Sequence, residues 1–422
     1  MQRRWGLGAL AIGLLLGGMS LAGADEPGSG EIKQEIQALQ GRLTALEARL
    51  VEQQRTVPPT SGEGLPQMIP GVKMSGFVDT SYTWSFNRPD SRTNSLRVFD
   101  TRAGDFMVNN VELVLEKPVN ADSRVGFRTD LDFGTDSEVL GSVTSGLGAN
   151  AHTHGQAGET AVSDEVELQQ AYAEFLAPLG NGLDIKMGKF VTMHGAEVIE
   201  AKDNWNFSRS FLFGYAIPFT HTGMRASYPW TEWLSTTMGV SNGWDIVDDN
   251  NKAKTLEFNT TIVPTKTTSL GVTYMFGAEK ARDSHDRRHL VDVVAGWNPT
   301  EQLALKLNYD LGWEDDGLSN TPAENAQWQG IAMYGRYQWL PWWATALRWE
   351  WFSDLAAVRA AQAGLRGLHL YEWTLTNEFK VYKDMIARVE YRHDSSNDRV
   401  FTRNKSATSY QDTLALEMIY PF

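Results

Sequence analysis

The sequence predicts an all-β fold: a transmembrane antiparallel β-barrel of about 16 strands, preceded by a short α-helical coiled-coil segment. Three observations carry this expectation. Apolar and polar residues alternate with period two through most of the chain after residue 71. The connections between alternating segments are by turns short and long. Tryptophans gather at the short ones.

Composition sets the outer bounds. The chain has 422 residues, 52 acidic and 38 basic, with a formal charge of −14 and no cysteine. Acidity on this scale argues against a nucleic-acid partner, which wants a basic stripe. Without cysteine there is no disulfide framework, thiolate nucleophile or cysteine-ligated metal. A mean hydropathy of −0.35 excludes a bundle of membrane helices.

Residues 1–24 read as a secretory signal peptide. Arg3 and Arg4 form the basic start, Leu7 to Leu16 the apolar core, and Ala22-Gly23-Ala24 the small-residue cleavage site. Residues 25–56 carry Ile32, Ile36, Leu39, Leu43, Leu46 and Leu50 at alternating spacings of four and three. This is a coiled-coil seam, and a helix this short needs a partner for it. The expectation is a periplasmic stalk that trimerises or dimerises the chain, with a homotrimer taken as the assembly; folding back on its own domain is the alternative. Residues 57–71 contain four prolines and read as a linker. The barrel is placed at 72–422.

Within it, Leu303, Leu305, Leu307, Tyr309, Leu311 and Trp313 alternate with Ala304, Lys306, Asn308, Asp310 and Gly312. The same rhythm recurs along 125–133, 346–351, 387–392 and 414–422. Strands are expected near 72–86, 104–117, 122–134, 165–177, 182–192, 219–229, 233–245, 253–263, 266–278, 287–298, 302–314, 326–339, 343–353, 368–380, 384–395 and 410–421. A soluble sandwich would turn the apolar face inward, whereas a membrane barrel turns it to lipid. Connection lengths decide between them. Six of the seven short turns contain proline, at 118, 178, 229, 264, 299 and 341, while the long ones are polar. Short turns at one end, long loops at the other and an even strand count are the pattern of an outer-membrane barrel. Trp230, Trp233, Trp339, Trp342 and Trp343 then form a girdle at the headgroup level. A final strand closing on Phe422 looks like the assembly signal that barrel-insertion machinery reads in outer-membrane proteins.

Several stretches resemble the OmpL-like β-barrel porins: Gly188-Lys189-Phe190, Gly195-x-Glu197, Asn204 to Ser210, Asn242-Gly243-Trp244-Asp245, and the first hairpin at 75–100. The resemblance spans about residues 72–422. It implies an outer-membrane porin, a water-filled channel for passive diffusion of small hydrophilic solutes or ions, with no enzymatic role and no cofactor. The stalk resembles that of trimeric porins with a helical N-terminal segment.

A channel needs a constriction of defined charge and width. The candidate is the connection 193–218, which carries Glu197, Glu200, Asp203, Asn204, Asn206 and Arg209, followed by Phe211 and Phe213. Arg124, Arg128, Lys306, Arg348, Arg388 and Arg392 are expected on the lumen wall, where they would either face the acidic loop across the passage or pair with Asp130, Asp132, Asp310, Glu350 and Glu390. No metal site is expected. His152-x-His154 and the oxygen-rich run 245–251 are the two weak candidates, and the latter lacks the spacing of a calcium loop. The alternatives to a channel are a barrel enzyme of phospholipase or protease type, drawing on His221, Ser227, His369 or His393, and a plugged structural barrel.

Overall fold

The computed structural model describes residues 71–144, 166–317, 324–362 and 364–422. The signal peptide, the coiled-coil positions Ile32 to Leu50, the linker up to residue 70 and the His152/His154 pair lie outside the described residues.

Sixteen antiparallel strands close on themselves. They are β1 (Lys73–Ser85), β2 (Phe106–Lys117), β3 (Val125–Phe133), β4 (Val166–Ala177), β5 (Leu183–Val191), β6 (Thr220–Pro229), β7 (Leu234–Ser241), β8 (Thr255–Thr265), β9 (Thr268–Ala278), β10 (Arg287–Trp297), β11 (Leu303–Glu314), β12 (Ala326–Leu340), β13 (Trp343–Asp354), β14 (Leu368–Tyr382) and β15 (Met385–Ser396), with β18 (Tyr410–Pro421) completing the wall. The small hairpin β16 (Phe401–Arg403) and β17 (Ser406–Thr408) stands in the last long connection. Each wall strand pairs with its neighbour in sequence, and β1 pairs with β18 from Phe77↔Pro421 to Ser85↔Thr413. Phe422 and Gly76 exchange two backbone hydrogen bonds, of 2.9 and 3.0 Å, across this seam. Closure leaves no unpaired edge, as a wall in hydrocarbon requires.

The alternation has the polarity of a membrane barrel. On β18 the apolar face is open, with Leu416, Met418 and Tyr420 each about half exposed. The opposite face, Thr413, Ala415, Glu417 and Ile419, is buried inside. Trp230, Trp233, Trp339 and Trp342 are exposed at the short-turn end, and the first and third donate their indole N–H groups to Thr236 and Thr345 at 2.8 and 3.0 Å. An amphipathic ring with one hydrogen-bonded edge suits the headgroup level.

The long connections depart from the expectation of plain polar loops. Residues Thr135–Thr144 form a helix, α1, after β3. Val98 and Phe99, Val139 and Leu140 of α1, Phe211 to Phe219, Trp244, Ala357 and Ala360, and Phe401 all join one apolar cluster inside the long-loop half of the barrel. These loop side chains fold inward because they are too apolar to stay in water.

Candidate functional site

The decisive element is the connection from β5 to β6. The chain leaves the wall at Val191, crosses the lumen and returns at Thr220, its partner in register. Gly195 makes the turn at φ +89°, where a side chain would be strained and its Cβ would sit 2.6 Å from Ile217 Cδ1. A five-residue π turn, Leu212–Ala216, is fully buried. Trp328 Nε1 and Arg359 Nε hold its end by donating to the Ala216 and Tyr215 carbonyls at 3.0 and 2.7 Å.

The wall grips the backbone of this loop with alternating charges. Glu390 accepts from the Phe207 and Ser208 amides at 2.7 and 2.9 Å. Glu350 accepts from Phe211 and Leu212 at 2.7 and 2.5 Å. Arg388 donates to the Ala201 and Asn204 carbonyls at 3.0 and 2.7 Å, and Arg392 donates to the carbonyl of Arg209. Arg348 donates to Ser208 O and to Glu197 Oε1, both at 2.6 Å. These amides and carbonyls are thereby met by charged partners, the stronger kind of hydrogen bond.

This geometry redistributes the expected constriction residues. Glu197 is buried, held by Arg348 and by the Ser210 amide at 2.8 Å. Asn206 is buried and donates to Thr376 Oγ1 at 2.7 Å. Asn204 and Arg209 staple the loop to itself, Asn204 through both the amide and carbonyl of Val198, Arg209 through the carbonyls of Val198, Phe207 and Ile199. Of the three acids among the six, only Asp203 keeps an exposed carboxylate; Glu200 is half-buried and accepts from Gln169 Nε2 at 2.8 Å. The Asp203 side chain is 57% exposed and pairs with Lys202.

The wall cations divide between the inward loop and the carboxylates around them. Arg348, Arg388 and Arg392 lie on the loop's own side and bind it, so they do not face it across water. Their charge is cancelled by Glu372, Glu378, Glu417 and Asp394. Asp310 is buried, with Asn308 Nδ2 3.5 Å away. Arg124 sits at a short turn and donates to Leu176 O at 3.3 Å. Two of the predicted wall cations do stay half-exposed in the short-turn half. Arg128 bridges Asp130 (2.9 Å) and Glu116 (3.6 Å), and Lys306 lies 4.3 Å from the ring centre of Trp205. Lys186, with Glu174 at 3.3 Å, adds to this mixed-charge vestibule.

Two groupings were not foreseen. His194, His221 and Glu257 bring ligand-type atoms within 4.8 Å of one another, as do Glu112, Asp130 and Glu200. In the first, burial pushes the His194 imidazole down to about 3, so it is neutral. Its Nδ1 lies 3.0 Å from Thr192 Oγ1. Asp245, from the run weighed for calcium, is spent elsewhere. It accepts from the Phe219 and Thr220 amides at 2.7 and 2.9 Å, anchoring the loop's return, and burial pushes its carboxyl up to about 6. His221 and Ser227 also find separate partners, His221 at Glu257 (3.1 Å) and Ser227 at Thr237 Oγ1 (2.8 Å).

Comparison with known proteins agrees with this architecture. The family model described as "Putative beta-barrel porin-2, OmpL-like" matches residues 71–422. The chain belongs to this family of outer-membrane porins. No curated protein matches the sequence. Among solved structures, this porin is similar to in-vitro folded OmpT of Vibrio cholerae in its trimer form, at 11% identity and a TM-score of 0.54 over 83% of this chain and 99% of that one. It is similar to the outer membrane channel DcaP of Acinetobacter baumannii at 14% identity and 0.53, over 83% and 97%. It is also similar to the anion-selective porin from Comamonas acidovorans at 8% identity and 0.56, over 83% and 99%. At these identities the shared property is the fold.

Proposed function

We propose that this porin conducts small hydrophilic solutes and ions passively, along a route past the exposed underside of the inward loop, and that it favours cations. The observation that carries this reading is the loop inside the lumen. It carries the exposed Asp203 and the half-buried Glu200, and the wall adds the half-exposed Arg128, Glu116, Glu174, Lys186 and Lys306. Acidic groups in a narrow, low-dielectric passage raise local cation concentration. The anion-selective relative has the same fold, so the sign of selectivity rests on side chains such as these. The test is charge reversal at Asp203, which is exposed and holds nothing buried. Asp203→Lys is expected to shift the zero-current potential in a salt gradient toward anions. An unchanged potential in planar bilayers would take the passage away from this loop.

A plugged barrel is the second reading, favoured by the apolar cluster that loops from six long connections build in the outer half. Single-channel steps from the intact protein separate the two.

The reading extends to assembly. A homotrimer embedded in outer-membrane lipid, its N-terminal helices joined as a periplasmic coiled coil after signal-peptide removal, is supported by the 4-3 spacing from Ile32 to Leu50 and by the trimer form of the Vibrio relative. Leu43→Asn is expected to lower the fraction of trimer on native gels. An unaltered assembly would remove the stalk from the oligomer's determinants.

A further inference from the structure

The side of the loop facing away from the arginine clamp meets an unusual piece of wall. In the β2–β3 register, Glu112 stands directly opposite Asp132, and Asp130 is the next inward residue on β3. All three are buried, Glu112 with 1% exposure and the aspartates with none. Like charges in one cross-strand pair are destabilising unless something stands between them. Two β-bulges frame the place, one between Asp79 and Thr80 on the β1–β2 ladder and one between Asp130 and Leu131 on the β3–β4 ladder. The second allows consecutive residues Gln169 and Gln170 both to be buried there.

From the loop, Glu200 completes the group. One carboxylate oxygen each from Glu112, Asp130 and Glu200 lies within 4.8 Å of the other two. Glu112 is aimed into this group with no hydrogen-bond partner for its buried Oε1. Asp132 Oδ2 and Gln169 Oε1 are also buried without partners. The amide of Gln169 donates to Glu200 at 2.8 Å, and that of Asn110 to Asp132 at 3.0 Å. The cations facing Glu112 are already engaged: Arg128 with Glu116 and with both oxygens of Asp130, which also accepts from Gln170 Nε2 at 2.5 Å, and Lys202 with Asp203. Four buried or half-buried carboxylates therefore share one guanidinium. An uncompensated buried charge is strongly disfavoured, so the group calls for a further positive charge.

We propose that Glu112, Asp130 and Glu200 hold a calcium ion that ties the inward loop to the β2–β3 wall. The donors are all oxygens, which selects a hard cation over zinc or copper. Oxygens around one calcium, at 2.3–2.6 Å from it, are separated by at most about 5 Å, and the observed spread fits. Three carboxylates from three separate segments suit calcium better than magnesium, which keeps most of its water and takes one or two. Asp132 and Gln169 supply further oxygens. The histidine grouping does not call for a metal in the same way. Its one carboxylate, Glu257, is already neutralised by Arg225 at 3.0 and 3.2 Å, so a divalent ion there would leave a buried excess of positive charge.

The proposal is independent of conduction, since a plugged barrel would hold the ion equally. Its test is therefore binding. The folded full-length protein in detergent is stripped with EDTA and titrated calorimetrically with calcium chloride. One saturable site is expected in the intact chain. Glu112→Gln and Glu200→Gln are each expected to weaken it by about tenfold or more. Asp249→Asn, on the connection between β7 and β8, should leave it unchanged. Heat-modifiable gel migration confirms that each variant is folded, and Glu200→Gln decides the matter if Glu112→Gln is not. No saturable binding below about 10 mM, beyond the weak end of extracellular calcium modules, would overturn the site. So would binding indifferent to both Gln variants. An infrared band of protonated carboxyl at neutral pH, absent in Glu112→Gln and untouched by calcium, would show that shared protons do the neutralising and would overturn it too.

Discussion

Arg348→Met is expected to cost about 3–5 kcal/mol of stability and to free the inward loop, because it leaves buried carboxylates without their counter-charge. The Arg348 side chain has no exposure and links three segments. Its Nε and Nη2 take the two oxygens of Glu372 at 2.6 and 3.1 Å, while Nη1 reaches Glu197 and the Ser208 carbonyl. The two acids suffer unequally when it is removed. Glu372 keeps Arg392 at 3.1 Å. Glu197 keeps only the amide and hydroxyl of Ser210, at 2.8 and 2.5 Å. The penalty therefore concentrates on the loop. Arg348→Lys should fall between, since an ammonium preserves the charge but cannot span the Glu372 fork and Glu197 together. Urea unfolding followed by tryptophan fluorescence gives the stability, and open-channel noise reports the loop. An unchanged midpoint together with unchanged noise would mean that the clamp carries no net energy.

What was legible in the sequence and what was not divide along one physical line. A strand in lipid must be apolar on its outer face, so the Leu416, Met418, Tyr420 stripe announces itself in the sequence. Strands, turns and tryptophan girdle followed from that, with ends shifted by only a few residues. The extended seventh strand was the larger miss: β7 stops at Ser241, and Asp245 turns back at φ +57° to cap the loop's return. The inner face obeys a weaker rule. Alternation says that Arg348, Arg388 and Glu390 point inward, but polar side chains there serve water or a buried backbone equally well. The signal that distinguishes these cases lay in the loop. Phe211, Leu212, Phe213, Tyr215, Ile217 and Phe219 are far too apolar for a segment bathed in an aqueous lumen, and the structure buries all six. Glu112 was hidden for a related reason. Its place in the alternation of β2 is ordinary, and only the cross-strand register sets it against Asp132.

Excising the loop is expected to do less harm to folding than removing one arginine, and to raise conductance several-fold. Val191 and Thr220 are paired in register, so residues 193–218 can give way to a short Gly/Asn hairpin turn without strain on the wall. The closed ladder of sixteen strands is untouched. Glu350, Glu390, Arg388 and Arg348 lose the amides and carbonyls they hold, yet each is then reached by water, which restores its hydrogen bonds. Arg348→Met differs because the loop stays in place and keeps water out while the counter-charge is gone. The loss on excision is mainly apolar burial at Phe211, Leu212 and their neighbours; those side chains leave with the loop, and their partners that stay, such as Phe99 and Phe352, are uncovered inside the lumen without touching the ladder. A barrel of this strand number without an inward segment leaves an aqueous channel. The measurement is single-channel current in planar bilayers, beside heat-modifiable migration to show that the barrel has closed. Steps that appear only after excision would identify the loop as a plug, and larger steps in the excised form than in the intact one would identify it as the constriction. Equal steps in the two would show that the passage lies elsewhere in the lumen, and the clamp of arginines and glutamates would then serve the fold alone.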